Sequence, residues 1–162
     1  MSYNEFFDIE NAIEETMSQL EQQYIGIEVI KNHARDIFTS ASLIVALLSV
    51  LGLGNASYNF YKPGAREILL MLAGSSYIII VFLNVWLLTP VSMSTAMKAE
   101  WKVFEKLYFG QPPKRILENK LENYIKAVEE NAPILKRKKS VSNVINYVYA
   151  AVVLSLLMAL FI

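Results

Sequence analysis

Three long uncharged runs constrain the fold of this 162-residue chain more than any other feature. No Asp, Glu, Lys or Arg occurs at residues 37–61, 68–97 or 140–162. A helix that crosses a bilayer core of roughly 30 Å needs about 20 largely apolar residues. An amphipathic helix of a soluble protein does not need to be apolar on every side. The runs therefore predict an all-α integral membrane protein with three transmembrane helices.

The same runs set the predicted boundaries of each segment. A hydrophobic fraction of 54% is high for a soluble domain and agrees with this class of protein. The predicted segments, in chain order, are a cytoplasmic amphipathic helix at 1–36, transmembrane helix 1 at 37–53, a short external loop at 54–67, transmembrane helix 2 at 68–88, a cytoplasmic helical hairpin at 89–139 and transmembrane helix 3 at 140–162.

The distribution of lysine and arginine predicts the orientation in the membrane. Residues 1–36 contain two of them, residues 54–67 contain two, and residues 89–139 contain eleven, including the basic run at residues 136–139. Lysine and arginine near the membrane favour the cytoplasmic side. We therefore expect a multi-pass protein of the inner (cytoplasmic) membrane, with its N-terminus in the cytoplasm and its C-terminus outside.

The two polar segments carry opposite charge and helical patterns. Residues 1–36 contain eight acids and two bases, a net charge of −6, whereas residues 89–139 contain eleven bases and six acids, a net charge of +5. Apolar residues recur at steps of three or four, which predicts a helix with a nearly heptad stripe. The stripe of the N-terminal segment consists of Phe6, Ile9, Ile13, Met17, Leu20, Tyr24 and Ile27. We expect the two segments to pack on each other.

The segment at 89–139 reads as two helices joined by a tight turn. Gly110 suits a helix C-cap, and Pro112 and Pro113 can open the next helix but cannot continue the previous one. Residues 131–133 include Pro133, which predicts a break or kink before the third span. The apolar stripes on either side of the turn consist of Met97, Trp101, Phe104 and Tyr108, and of Leu117, Leu121, Tyr124 and Val128.

Residues with catalytic or metal-binding chemistry are scarce. His33 is the only histidine, and there is no cysteine. Paired His or Cys ligands and a Cys–His dyad are therefore excluded. The chain also lacks a glycine-rich phosphate-binding motif. The sequence predicts a protein that is not an enzyme, with no metal site, no cofactor and no nucleic-acid partner.

Polar side chains inside the predicted spans allow two interpretations. Asn84, Ser75, Ser76 and Ser155 lie within them. Amides and hydroxyls in hydrocarbon seek partners on neighbouring helices, so these residues could hold a bundle or a homo-oligomer together. They could instead line a polar path in an assembled pore. No span carries a charge, which argues against an ion or proton carrier.

The basic run at residues 136–139 also has more than one interpretation. It could act only as a topology anchor, or it could bind anionic lipid headgroups or an anionic ligand such as a nucleotide. A phosphate group needs several fixed donors rather than one exposed charge. On the ligand interpretation, the candidate contacts are Arg115, Lys136, Arg137 and Lys139.

The order of these parts resembles the Pycsar-type transmembrane effector family of bacterial anti-phage defence. The matching stretches are residues 34–53, the LLTP at 87–90, the YFG at 108–110 and the NAPILKRKKSVSNVINY at 131–147. One departure is Arg35 followed by Asp36, where the family tends to carry a lysine. The resemblance implies a cytoplasmic sensor of a cyclic nucleotide that disrupts the membrane when it is triggered.

Two functions are therefore carried forward. The first is an oligomeric defence effector that senses a cyclic nucleotide or similar anion and perturbs or opens the inner membrane. The second is a structural membrane subunit that anchors a cytoplasmic protein partner through its amphipathic helices. The sequence leaves open the ligand, the number of subunits, and whether a pore forms or the bilayer thins.

Overall fold

Three helices make up the described part of the chain. The computed structural model describes residues 3–50, 64–96, 105–106 and 109–161, without the side chains of residues 3–6 and 47–50. The helices are α1 (Tyr3–Val50), α2 (Ala65–Leu88) and α3 (Pro113–Phe161). No residue in these ranges belongs to a strand. The prediction of an all-α protein is confirmed.

Helix α1 follows a seven-residue period on its buried side. The sequence-predicted stripe is confirmed at Ile13, Leu20 and Ile27, but Met17 and Tyr24 are exposed. The buried side continues toward the C-terminal end of α1 through Ile30, Ala34, Ile37 and Ala41. A repeat of seven keeps one side of a helix facing its neighbours, as in a coiled coil. The helix continues without interruption from the predicted polar segment into the predicted first span.

Helix α2 begins after Gly64 and matches the predicted second span. Ile68 N–H donates to Gly64 O at 3.1 Å in its first turn. At its end, Thr89 donates from its backbone N–H and from Oγ1 to Val85 O, at 3.0 and 2.8 Å, and Pro90 follows. The buried side of α2 consists of Ala73, Ser76, Ile80, Asn84 and Leu87.

Helix α3 begins where the proline pair predicts a new helix. Gly110 has a φ of 73°, a left-handed conformation that glycine adopts without strain, and Pro113 is the first residue of α3. The sequence predicts a break or a kink at residues 131–133, and the break is wrong, because α3 continues through Pro133. Proline removes one backbone hydrogen bond, and the many remaining bonds of this 49-residue helix maintain it.

The chain forms two compact units, each with parts of α1 and α3. The first unit comprises Met1–Glu28 and Pro90–Arg137, and the second comprises Val29–Thr89 and Lys138–Ile162. In the first unit, Gln23 Nε2 donates to Val128 O at 3.1 Å, and Gly26 lies against Leu135. From the first contact to the second, the residue number rises on both helices, so α1 and α3 run parallel in this unit. The predicted packing of the two polar segments is confirmed for this pair of helices.

Two helices, α2 and α3, are long and apolar enough to cross a membrane. The predicted first span at 37–53 is not one of the two, and its residues 51–53 lie outside the described residues that this comparison covers. Two of the three predicted spans are therefore found in the described part of the chain, and the third stays a prediction.

Candidate functional site

The end of α2 is held by a lysine from α3 in the second unit. Lys138 is only 2% exposed, and its Nζ donates to Leu87 O at 2.7 Å and to Thr89 O at 3.1 Å. The last carbonyl groups of a helix have no partner within the helix, and a lysine commonly satisfies them. The helix dipole also places partial negative charge at this end. Lys138 therefore caps α2 from another helix.

The surroundings of Lys138 both favour and oppose its charge. Nζ lies 5.6 Å from the centroid of the Trp86 ring, within the range of a cation–π contact. Burial lowers the pKa of Lys138 from its ordinary value, and repulsion from Lys31 lowers it further. Two carbonyl oxygens and an aromatic ring offset the loss of water around the ammonium group. This arrangement fixes the end of α2 and does not leave the amine available to an external ligand.

A second buried polar side chain holds the segment after α2 in the first unit. Asn131 is fully buried; its Oδ1 accepts from Ser94 N–H at 2.7 Å, and its Nδ2 donates to Ser94 O at 2.9 Å. Tyr24 OH also donates to Ser94 O, at 3.2 Å. Both ends of the amide are satisfied, as a buried polar group requires. These bonds fix residue 94 against α1 and α3.

The predicted ligand contacts occupy separate places. Lys136 and Arg137 are exposed in the first unit, and Lys139 is exposed in the second. Arg115 lies 21 residues before Lys136 on α3, which corresponds to about 30 Å along a helix. Its Nη1 lies 3.7 Å from Glu118 Oε2. The structure therefore does not bring Arg115 to the same place as Lys136 and Arg137.

The described ion pairs of α3 are local. Lys114 pairs with Glu118 at 3.9 Å, and Lys126 pairs with Glu130 at 4.0 Å. These pairs link side chains three or four residues apart on an exposed face, where such contacts contribute little stability. They belong to the half of α3 that precedes the basic run and give it a mixed charge.

Asn84 is a buried amide with one unsatisfied end. It is 2% exposed, and its Nδ2 donates to Ile80 O of the same helix at 3.0 Å. Its Oδ1 is buried without a hydrogen-bond partner among the described residues. An unpaired acceptor in such a place costs free energy. The structure therefore places Asn84 in the interior of the second unit but gives it no partner on another helix.

The predicted serines do not share one environment. Ser76 and Ser155 are buried, whereas Ser75 is exposed and donates to Leu72 O of its own helix at 3.0 Å. Within the predicted third span, Ala159 is also buried, whereas Ala151 is exposed. The burial of Ser76, Ser155 and Ala159 agrees with the interpretation that small polar residues serve helix packing.

Two polar contacts link α1 to the other helices of the second unit. Ser42 Oγ lies 3.0 Å from Tyr77 OH, joining α1 to α2. His33 Nε2 lies 2.8 Å from Asn146 Oδ1, joining α1 to α3. The carbonyl oxygen of Asn146 can only accept, so the histidine nitrogen donates. Interhelical bonds of this kind are the usual use of polar side chains in helical bundles.

Sequence reasoning did not assign roles to Lys138 and Asn131, although a signal for them exists. Every seventh residue of α3 from Asn131 to Ala159 is buried, and the series consists of Asn131, Lys138, Ile145, Val152 and Ala159. Within the basic run, only Lys138 falls on this series. Counting back in steps of seven from the apolar residues Ala159, Val152 and Ile145 predicts that Lys138 is buried, unlike its neighbours in the basic run.

No protein-family model, curated protein or solved structure matches this chain. Among the residues described by the structure, no group of three or more His, Cys, Asp or Glu side chains could hold a metal ion. The class of protein is therefore defined by its own features, which are an all-helical fold, two helices of membrane-crossing length and buried polar contacts at the end of α2.

Proposed function

We propose that this protein is an integral membrane protein that acts as an oligomeric membrane effector. The observation that carries the membrane part is the exposure of apolar side chains on α2 and α3. Phe82 is 72% exposed and Tyr147 is 77% exposed. Only 22% and 28% of the apolar windows of α2 and α3 are buried. A core helix of a soluble protein buries most of its apolar surface, whereas lipid can cover these side chains.

The proposed topology has three spans in the inner membrane. The C-terminal part of α1, helix α2 and the C-terminal part of α3 cross the bilayer, with the N-terminus in the cytoplasm and the C-terminus outside. The excess of lysine and arginine at residues 89–139 supports this orientation. The parallel packing of α1 and α3 in the first unit also supports it, since their polar parts belong on one side.

The effector function rests on a polar cytoplasmic part next to the membrane helices. In this proposal an anionic ligand, with a cyclic nucleotide as the first candidate, binds the exposed donors Lys136 and Arg137 of the first unit. Two neighbouring cationic donors on one helix suit a phosphate group. Ligand binding then changes the packing of the spans, and the homo-oligomer opens or perturbs the bilayer.

The second candidate is a structural subunit that anchors a cytoplasmic protein. Exposed apolar side chains in the first unit favour it, because lipid would not reach a cytoplasmic surface. They include Phe7, Phe109 and Ile125. In this candidate the basic residues act only as a topology anchor, and no small anion alters membrane permeability.

Membrane potential separates the two candidates. The chain is expressed in bacterial cells with and without a cyclic nucleotide, while a potential-sensitive dye reports depolarisation. The effector proposal predicts depolarisation only when the nucleotide is present. Replacing Lys136 and Arg137 by glutamine is expected to abolish the response. If no cyclic nucleotide depolarises the cells, the anchoring function replaces the effector.

A matched variant controls for the loss of charge. Replacing Lys114 and Lys120 by glutamine removes the same number of charges from α3 but none of the proposed contacts. This control is expected to respond as the unmodified protein does. Survival of the response in the Lys136 and Arg137 variant would show that these residues are not the ligand site. Membrane fractionation verifies that both variants insert.

A further inference from the structure

The exposed surface of α3 in the second unit changes from polar to apolar along the helix. Its exposed residues from 139 to 147 are polar except Val144, whereas every exposed residue from 148 to 161 is apolar. Each residue turns a helix by about 100°, so Tyr147 lies on the side opposite to the buried Ile145. We define the polar face of α3 as the exposed residues Ser140, Asn143 and Tyr147.

The polar face lies at the start of the third uncharged run, which the sequence assigns to the hydrocarbon core. An exposed amide such as Asn143 would lose its hydrogen bonds to water in hydrocarbon, which is unfavourable. Tyrosine is enriched where hydrocarbon meets the headgroups, and Tyr147 is 77% exposed. The surface of α3 therefore places the edge of the hydrocarbon near Tyr147 rather than at Ser140.

A charged residue of α1 gives a second, independent indication of this edge. Asp36 is exposed and is the last charged residue of α1. A carboxylate is costly in hydrocarbon, and the side chain of aspartate is too short to reach the headgroups from below, unlike that of lysine or arginine. The headgroup layer must therefore extend at least as deep as Asp36.

The contact between His33 and Asn146 relates the depth of Asp36 to α3. The inference rests on the proposed membrane insertion, in which α1 and α3 run outward and α2 runs inward. Asp36 lies three residues outward of His33, and Ser140 lies six residues inward of Asn146. Nine residues of helix correspond to about 13.5 Å, so Asp36 lies that much closer to the bilayer centre than Ser140.

Helix α2 relates the same two depths by a second route. Ser42 Oγ lies 3.0 Å from Tyr77 OH, which sets these two residues at about the same level. Asp36 lies six residues inward of Ser42, and α2 runs inward from Tyr77. Asp36 is therefore level with about residue 83 of α2.

The cap at the end of α2 completes this route. Lys138 binds the carbonyl groups on either side of Leu88 and is level with it. Ser140 lies two residues further outward, level with about residue 86 of α2. Asp36 is again closer to the bilayer centre than Ser140, here by about 4.5 Å. The long side chain of lysine accounts for the difference from the first route, and the direction is the same.

The two routes place the level of Asp36 between about residues 143 and 149 of α3. Tyr147, where the exposed surface changes from polar to apolar, falls within this range. We propose that phospholipid headgroups cover the polar face of α3 and that the hydrocarbon core begins near Tyr147. The phosphate and ester oxygens of the headgroups accept hydrogen bonds from Ser140, Asn143 and Tyr147.

Spin labels at two matched positions of α3 test this proposal. The chain has no cysteine, so Asn143→Cys and Leu154→Cys each carry a single label. Leu154 is 60% exposed and lies three helical turns further along the same side, about 16.5 Å deeper. In lipid vesicles, nickel chelated to a lipid headgroup is expected to relax the label at 143 severalfold more strongly than the label at 154.

The same labels separate the other occupants of this face. Equally weak relaxation by headgroup nickel at both positions would overturn the proposal. Relaxation at 143 by a water-soluble nickel complex but not by headgroup nickel would show that water covers the face. Low accessibility at 143 to dissolved oxygen and to both nickel reagents would show that protein covers it. High accessibility at 154 to the water-soluble complex would instead show that α3 is not inserted, so failure of the membrane proposal is distinguishable.

Discussion

The ammonium group of Lys138 satisfies carbonyl groups at the end of α2 from a different helix. Its two bonds to Leu87 O and Thr89 O link α2 to α3 at a buried point. Charged donors form stronger hydrogen bonds than neutral ones. At the residue scale, this contact and the amide of Asn131 join side chains of α3 to the backbone of residues 87–94.

Replacement of Lys138 by methionine tests the cap. The side chain keeps its length, but the buried Leu87 O and the part-buried Thr89 O lose their donor, which is expected to lower the free energy of unfolding by about 1–3 kcal/mol. Lys139→Met serves as the control, since Lys139 is exposed and should change stability by less than about 0.5 kcal/mol. Unfolding is followed by circular dichroism in a mild detergent. Equal stability of the two variants would contradict the cap.

Two asparagines that are buried in the described part of the chain give a second pair of matched variants. Asn131→Leu removes two satisfied hydrogen bonds and is expected to cost about 1–3 kcal/mol. Asn84→Leu removes an unsatisfied oxygen together with one bond to its own helix. Its stability is therefore expected to stay within about 1 kcal/mol of the unmodified protein. The same unfolding assay measures both. A larger loss for Asn84→Leu than for Asn131→Leu would show that Asn84 has a partner.

The sequence predicts a role for some of these residues and not for others. Asn84 was found because an amide within an apolar run is conspicuous. Lys138 was passed over because its neighbours have the same charge, and local composition does not distinguish a buried lysine from an exposed one. Arg115 was grouped with the basic run by charge alone, although about 30 Å of helix separates it from Lys136. That distance follows from the continuity of α3 through residues 131–133, where the sequence predicted a break or a kink.

At the scale of the elements, the close approach of α1 to α3 depends on Gly26. A Cβ atom at this position would lie 3.3 Å from Leu135 Cδ1. Small residues let two helices approach closely, and a larger side chain would push them apart. The contact lies between Gln23 and Ile27, where the two helices of the first unit meet.

Gly26→Leu and Gly74→Leu test this contact as a pair. The first is expected to lower the free energy of unfolding by about 1–3 kcal/mol, since it overpacks the contact with Leu135. The second meets nothing within 4 Å and should be neutral or stabilising by up to about 1 kcal/mol through helix propensity. Thermal unfolding in detergent compares them. A neutral Gly26→Leu variant would show that α1 and α3 do not depend on this approach.

The elements follow from periodicity and turn chemistry to a large extent. The buried stripe positions Ile13, Leu20 and Ile27, the end of α2 at Leu88 and the start of α3 at Pro113 were predictable, because local sequence determines them. The continuation of α3 through Pro133 was not. A proline costs one hydrogen bond, and whether a long helix absorbs that loss depends on packing, which a local rule does not contain.

At the scale of the whole molecule, the proposed topology rests on charge asymmetry. A reporter that works only outside the cytoplasm is expected to be active when it is fused after Ile162. A reporter that works only inside the cytoplasm is expected to be active when it is fused before Met1. The same two reporters on a chain with residues 136–139 neutralised serve as a control, since loss of the basic run weakens the bias. A cytoplasmic signal at both ends would contradict three spans.

The most direct test of the account is the environment of Phe82. A spin label is attached to Phe82→Cys in lipid vesicles, and collisions with dissolved oxygen and with a water-soluble nickel complex are compared. The account predicts high oxygen and low nickel accessibility, because oxygen concentrates in the bilayer and Phe82 faces lipid. Glu122→Cys, on the polar part of α3, should show the reverse. Nickel accessibility at Phe82 equal to that at Glu122 would contradict membrane insertion, and low accessibility to both reagents would mean that protein covers this face.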